Sequence, residues 1–121
     1  VSRIRILLAG ATSDLRSMVH DAVAGQHDLL IVGETSGEVE TLLEAGRIHV
    51  EVVIVGMRGA ELPPVAERLL DEYPRLGVLA VDLDRDEGML YRLSPRVTRI
   101  SDIRITGLAG MVRQIAPERR G

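Results

Sequence analysis

Apolar residues fall in short blocks separated by glycine, proline and polar clusters, and the blocks are of two kinds. Residues 4–9 (IRILLA), 28–33 (DLLIVG), 50–55 (VEVVIV) and 76–81 (LGVLAV) are nearly continuous apolar runs. That length and continuity predict strands buried on both faces. The run at 50–55 is the strongest, being rich in β-branched side chains. Between these runs the apolar spacing becomes helical. Thr12-Ser13-Asp14 offers N-cap chemistry ahead of Leu15, Met18, Val19, Ala22 and Val23, and Gly25 suits a C-cap. Ser36-Gly37 precedes Val39, Leu42 and Leu43, a short amphipathic helix ending near Gly46. Pro63-Pro64 opens a third helix with Val65, Ala66, Leu69 and Leu70 inward, and Pro74 stops it.

The second half is less regular. Residues 82–86 (DLDRD) read as an acidic loop and 88–93 (GMLYRL) as a short helix, stopped by Ser94-Pro95. Residues 97–100 form a fifth strand, alternating and less apolar, as befits an edge. Thr106 can cap a last helix carrying Leu108, Met111, Val112 and Ile115. Strands alternating with short helices imply an α/β protein with a parallel sheet covered on both faces. The expected topology is a single-domain, doubly wound, flavodoxin-like sheet of five parallel strands in the order 2-1-3-4-5.

Composition narrows the function classes. The chain has 121 residues, enough for one domain, with the domain expected over 1–116 and 117–121 as a linker stub. There is no cysteine, which excludes disulfides, thiolate catalysis and cysteine zinc sites. Tyr73 and Tyr91 are the only aromatics, so the core is aliphatic. All 15 basic residues are arginine, so no lysine is available for a Schiff base or as a compact phosphate-reading ammonium. The net charge of −3 is interspersed, which argues against a nucleic-acid-binding face. The densest basic run is Glu118-Arg119-Arg120, assigned to the stub. No run approaches a membrane span and no signal peptide is present, so the expected setting is cytoplasmic. The chain opens on Val1, as a fragment of something longer would.

In such a sheet, ligands bind at the carboxyl ends of the strands near the first and third. Those ends are Ala9-Gly10-Ala11, Val55-Gly56-Met57, Val81-Asp82 and Ile100-Ser101. Residues 4–16 (IRILLAGATSDLR), 30–42 (LIVGETSGEVETL) and 52–58 (VVIVGMR) resemble the receiver domains of bacterial response regulators with a helix-turn-helix output. The resemblance spans nearly the whole chain. It is strongest at Val32-Gly33-Glu34-Thr35-Ser36-Gly37 and weak after residue 84. It implies an acidic pair after the first strand, a phosphoacceptor aspartate after the third, a hydroxyl after the fourth and a lysine on the fifth. In this chain those places fall on Gly10 and Ala11, on Gly56, on Asp82 and near Ser101. An aspartyl phosphate needs a carboxylate nucleophile, and magnesium needs carboxylate oxygens. The expectation is a pseudo-receiver that works without phosphorylation: no catalytic residue, no metal, no cofactor, not an enzyme.

Other readings carry weight too. Gly10-Ala11-Thr12 begins like a dinucleotide-binding turn, but Ser13 and Arg16 stand where its later glycines belong. A neutral pocket at Gly10, Ala11 and Gly56 could instead admit a quinone-like or nucleotide-like small molecule. Asp82, Asp84, Asp86 and Glu87 lack calcium-loop spacing and read as a solvated loop. His20, His27 and His49 have no ligand spacing and read as surface or cap residues. Met89, Leu90, Tyr91 and Leu93, with Met111, lie where receivers commonly dimerise, and form the candidate face for a second copy or a partner protein, with ordinary core packing the competing reading for any single one of the first four. The first and last helices are the competing face. DNA contact would come only from an output domain outside this chain.

Overall fold

Period-two alternation sends each strand residue to one of two cores. The computed structural model describes residues 3–57, 63–92, 98–101, 103 and 107–116. Its elements are β1 (Ile4–Ala9), α1 (Ser13–Val23), β2 (Leu29–Thr35), α2 (Glu38–Arg47), β3 (Val52–Gly56), α3 (Pro64–Glu72), β4 (Gly77–Asp82), β5 (Glu87–Tyr91), β6 (Thr98–Ser101) and α4 (Leu108–Ile115). Ile4, Ile6 and Leu8 of β1 join Val52, Ile54, Leu79 and Val81 on one face. Leu15 and Val19 of α1 and Leu108, Met111, Val112 and Ile115 of α4 close that core. Leu7 and Ala9 join Val53, Val55, Val78 and Ala80 on the other face, under Ala45 of α2 and Ala66 and Leu69 of α3. Continuous apolar runs follow directly from burying both faces.

The sheet is mixed, with six strands in the order β2-β1-β3-β4-β5-β6. β1 to β4 are parallel, but β5 is antiparallel to β4 and β6 antiparallel to β5. Two expectations are corrected here: the sheet is not five parallel strands, and the start of residues 88–93 is a strand rather than a helix. The physical cause is burial on both sides. Leu90 packs into the first core and Tyr91 into the second, with Met89 half-buried beside it. Consecutive buried residues on opposite faces suit an interior strand, whereas a helix turns both toward one stripe. The chain reverses through Leu83–Asp86, where Asp86 takes φ 54, a conformation aspartate tolerates. The fifth predicted strand is β6, which lies at the sheet edge as expected but one place further out. The expected stub 117–121, Ser94-Pro95 and Thr106 lie outside the described residues; α4 begins after Gly107.

β2 forms the other edge. Ile6 pairs with Ile31 and Leu7 with Gly33, so Val32 is an extra residue in the ladder. A bulge there bends the edge and makes it a poor template for a further strand.

Helix ends are held by side chains. Thr12 Oγ1 accepts from the Leu15 amide at 3.3 Å, the N-cap anticipated for α1. Arg5, the one charge in the first apolar run, donates to the carbonyls of Ile48 and His49 at 2.8 Å each, just beyond α2. Arg92 donates to Gln114 at 3.0 Å, to Ile115 at 2.8 Å and to Ala116, gathering the last carbonyls of α4. Arg113 of α4 reaches Asp28 at 2.7 and 2.9 Å. That bond holds the Asp28 carboxyl below the usual carboxylate range.

Two predictions follow from these contacts. Leu90→Ala should lower stability by about 2–5 kcal/mol in urea unfolding, because the side chain is core; an exposed helical leucine would cost far less. Asp28 has a folded pKa below its ordinary 3.8, so its contribution is full above that value and is lost as pH falls through the lower one. In Asp28→Asn, thermal melts between neutral pH and pH 3 should therefore fall less steeply on the acid side than in the parent chain.

Candidate functional site

The carboxyl ends of β1 and β3 meet as backbone. Gly10 leaves β1 with φ 58, in the left-handed region that glycine enters without cost, and its amide donates to the Thr35 carbonyl at 2.9 Å. Gly56 ends β3 beside it. A Cβ at Gly56 would stand 3.3 Å from the Gly10 carbonyl oxygen, so the two strand ends pack closely. Ala11 is half-buried against the α1-side core. At the three positions where the resemblance expects carboxylates, the side chains are two hydrogens and a methyl.

Asp82 ends β4 and is buried. Its Oδ1 accepts from the Arg85 amide at 3.3 Å, and Arg85 Nε lies 3.8 Å from Oδ2. The carboxylate therefore organises the β4–β5 turn. Ser101 sits opposite Glu87, and Glu87 opposite Asp82, so a whole strand separates Ser101 from β4. The structure brings Gly10, Ala11 and Gly56 together, places Asp82 at the neighbouring strand end, and leaves Ser101 exposed on the edge strand.

A half-open cavity of about 220 Å³ opens at the same end of the sheet. Ala9, Gly10, Val55 and Gly56 form its floor, Ser36, Gly37, Glu38 and Thr41 one wall, and Pro63, Pro64 and Val65 the other. The site lies at the switch between β1 and β3, where open α/β sheets bind ligands. Two of its polar side chains are already engaged: Thr41 Oγ1 donates to the Gly37 carbonyl at 2.7 Å and lies 2.7 Å from Thr35 Oγ1, and Glu38 accepts from Arg68 at 3.3 Å. Ser36-Gly37 and Pro63-Pro64 had read only as helix openers; the signal that they line a cavity is topological, since both follow a strand's carboxyl end.

The candidate association face is redistributed. Leu90, Tyr91 and Met111 are buried in the cores and Met89 is half-buried, so these residues do not form an exposed patch; Leu93 lies outside the described residues. Among the described residues the exposed large apolar side chains are Val39 and Leu43, both on α2. The histidines stay apart. His20 lies 3.1 Å from Glu34, whose other oxygen accepts from Arg16 at 2.7 Å. Arg16 first, then His20, holds the Glu34 carboxyl below its usual range. Among the described residues no three His, Asp or Glu side chains converge as a metal site requires, and no helix is long and apolar enough to cross a membrane.

No family model matches the sequence, and no curated protein matches it. Among solved structures, the fold is similar to that of the Salmonella typhimurium response regulator RcsB, studied for its conformational dynamism in DNA interaction. The similarity has a TM-score of 0.58 at 11% identity and covers 71% of this chain. It covers 46% of the RcsB chain, so this chain matches about half of that regulator. The fold is thus that of a response-regulator-like α/β domain.

Proposed function

We propose that this domain is a phosphorylation-independent pseudo-receiver, an interaction module of bacterial signalling that works by dimerisation or by docking a partner protein. One observation carries the reading. The ends of β1 and β3, where a phosphoryl group and its magnesium would be held, are closely packed backbone at Gly10 and Gly56 with no carboxylate on either. Phosphoryl transfer of the receiver kind needs a carboxylate acceptor and carboxylate oxygens for the metal. Asp82, at the neighbouring strand end, is buried and engaged with Arg85, Glu38 on the cavity wall accepts from Arg68, and the chain has no lysine to pair with a phosphate. In this reading the domain is a regulatory part of a cytoplasmic transcription regulator, it is not an enzyme and takes no cofactor, and DNA contact belongs to a separate output domain.

The cavity favours a second reading, a sensor for a small quinone-like or nucleotide-like ligand. Its floor is neutral and its walls come from the starts of α2 and α3 and the residues just before them, at the switch point. Binding there would act by favouring one conformation over another.

Incubation with acetyl phosphate and magnesium, followed by intact-mass analysis, should leave the chain unmodified. Gly56→Asp should also remain unmodified, because β1 would still offer no carboxylate for the metal. A stable phosphoryl group on any aspartate of the parent chain overturns the proposal. For the second reading, a ligand present at 100 times its Kd stabilises the fold by about 2.7 kcal/mol, visible as a rise in Tm. Quinones and nucleotides that raise Tm in the parent chain, but not in Ser36→Arg, would establish the cavity as a site; no rise with any of them removes that reading.

A further inference from the structure

Helix α2 has one face in the protein and a different kind of face outside. Thr41 and Ala45 are buried, with Leu42 and Glu44 half-buried beside them. The opposite stripe carries Val39, Glu40, Leu43 and Arg47. Val39 is 66% exposed and Leu43 68% exposed. Apolar side chains one turn apart form a continuous strip on a helix surface.

The charges on that stripe run in a fixed sense. Glu40 lies in the first turn and Arg47 in the last. Among the described residues Glu40 has no ionic partner. Arg47 is bonded to Glu44 of its own helix at 2.6 and 2.8 Å, yet its side chain is still 68% exposed. Turned end for end, the stripe matches itself: acid meets base, and Leu43 meets Leu43. A two-fold interface needs such self-complementarity, because the same patch must serve on both subunits. Antiparallel helices also oppose their dipoles favourably.

We propose that α2 is a self-association surface, on which two copies of this chain pack α2 against α2 antiparallel, with a two-fold axis near Leu43 and Glu40 of each protomer facing Arg47 of the other. The proposal rests on the reading of the domain as an association module, and supplies the surface that β5 and α4 do not. One helix stripe is smaller than the roughly 800 Å² per partner of a standard interface, so the dimer is weak and forms with rising concentration.

Sedimentation equilibrium of the whole chain over a wide concentration range tests this. The expected result is a reversible monomer–dimer equilibrium. Leu43→Glu should weaken it about tenfold or more, since a central apolar anchor is replaced by like charges facing each other. Glu40→Arg and Arg47→Glu should each weaken it, and the double variant should recover it, because the exchange restores acid against base. All these side chains face solvent, so thermal melts should show the monomer fold intact. A chain that stays monomeric at every concentration overturns the proposal, as does a double variant no better than its single parents. A dimer indifferent to Leu43→Glu overturns this surface while leaving association itself standing. Phosphoryl uptake in the mass experiment would instead overturn the pseudo-receiver reading and leave the dimer untouched.

Discussion

A sheet whose central strands are apolar on both faces must be covered twice. Ile54 and Val55 are adjacent in β3 and both buried, yet they lie in different cores. Neither core can be lost without exposing half of every central strand. α1 and α4 cover one side, α2 and α3 the other. The helices need only modest amphipathicity, because the sheet supplies most of the apolar surface. The same requirement explains β5. A segment with Leu90 and Tyr91 side by side satisfies both cores as a strand, and extends the sheet instead of covering it.

That extension changes the end of the sheet where ligands bind. In a fully parallel sheet the strand ends after β3 and β4 would face a fifth strand end directly. Here a tight turn joins β4 directly to an antiparallel β5, and Asp82 accepts from the Arg85 amide within it. Ser101 is displaced to the edge. The open space that remains lies on the other side, between β1 and β3 and the starts of α2 and α3. The absence of a carboxylate at Gly10 and Gly56 is thus a matter of side-chain chemistry, while the displacement of Ser101 is a matter of topology.

Much of this was legible in the residues. β1, β3 and β4 declared themselves by continuous apolar runs, and α1 by a threonine cap ahead of a helical stripe. Gly10, Ala11 and Gly56 were placed at the correct strand ends because a glycine closes each run. The failure came at GMLYRL, where a short apolar run has no period of its own and the resemblance is weakest. Only tertiary burial decides between helix and strand there. Once the segment became β5, Leu90 and Tyr91 took the core packing that was one of their two readings, and Ser101 moved out by one strand. Val39, Leu42 and Leu43 were visible as the apolar positions of a short amphipathic helix, with no sign of which of them face inward. With Leu42 between them the stripe could be drawn either way, and the buried Thr41 settles it, because its hydroxyl finds a partner inside.

The arginine-only composition bears on the same architecture. Arg5 and Arg92 each bind several backbone carbonyls at once, near the ends of α2 and α4. A planar fork with fixed donors suits that task, while a lysine ammonium would hold fewer carbonyls in a defined geometry. Arg92 stands immediately after β5, so the strand that replaces a covering helix also holds the end of α4. Arg5 stands in β1, so the first strand fixes the exit of α2. The two helices that flank the sheet on opposite sides are therefore anchored by cations rooted in the sheet itself. Both guanidiniums are bonded to carbonyls near helix ends, while Arg68 is bonded to Glu38 on the cavity wall beside Gly10 and Gly56.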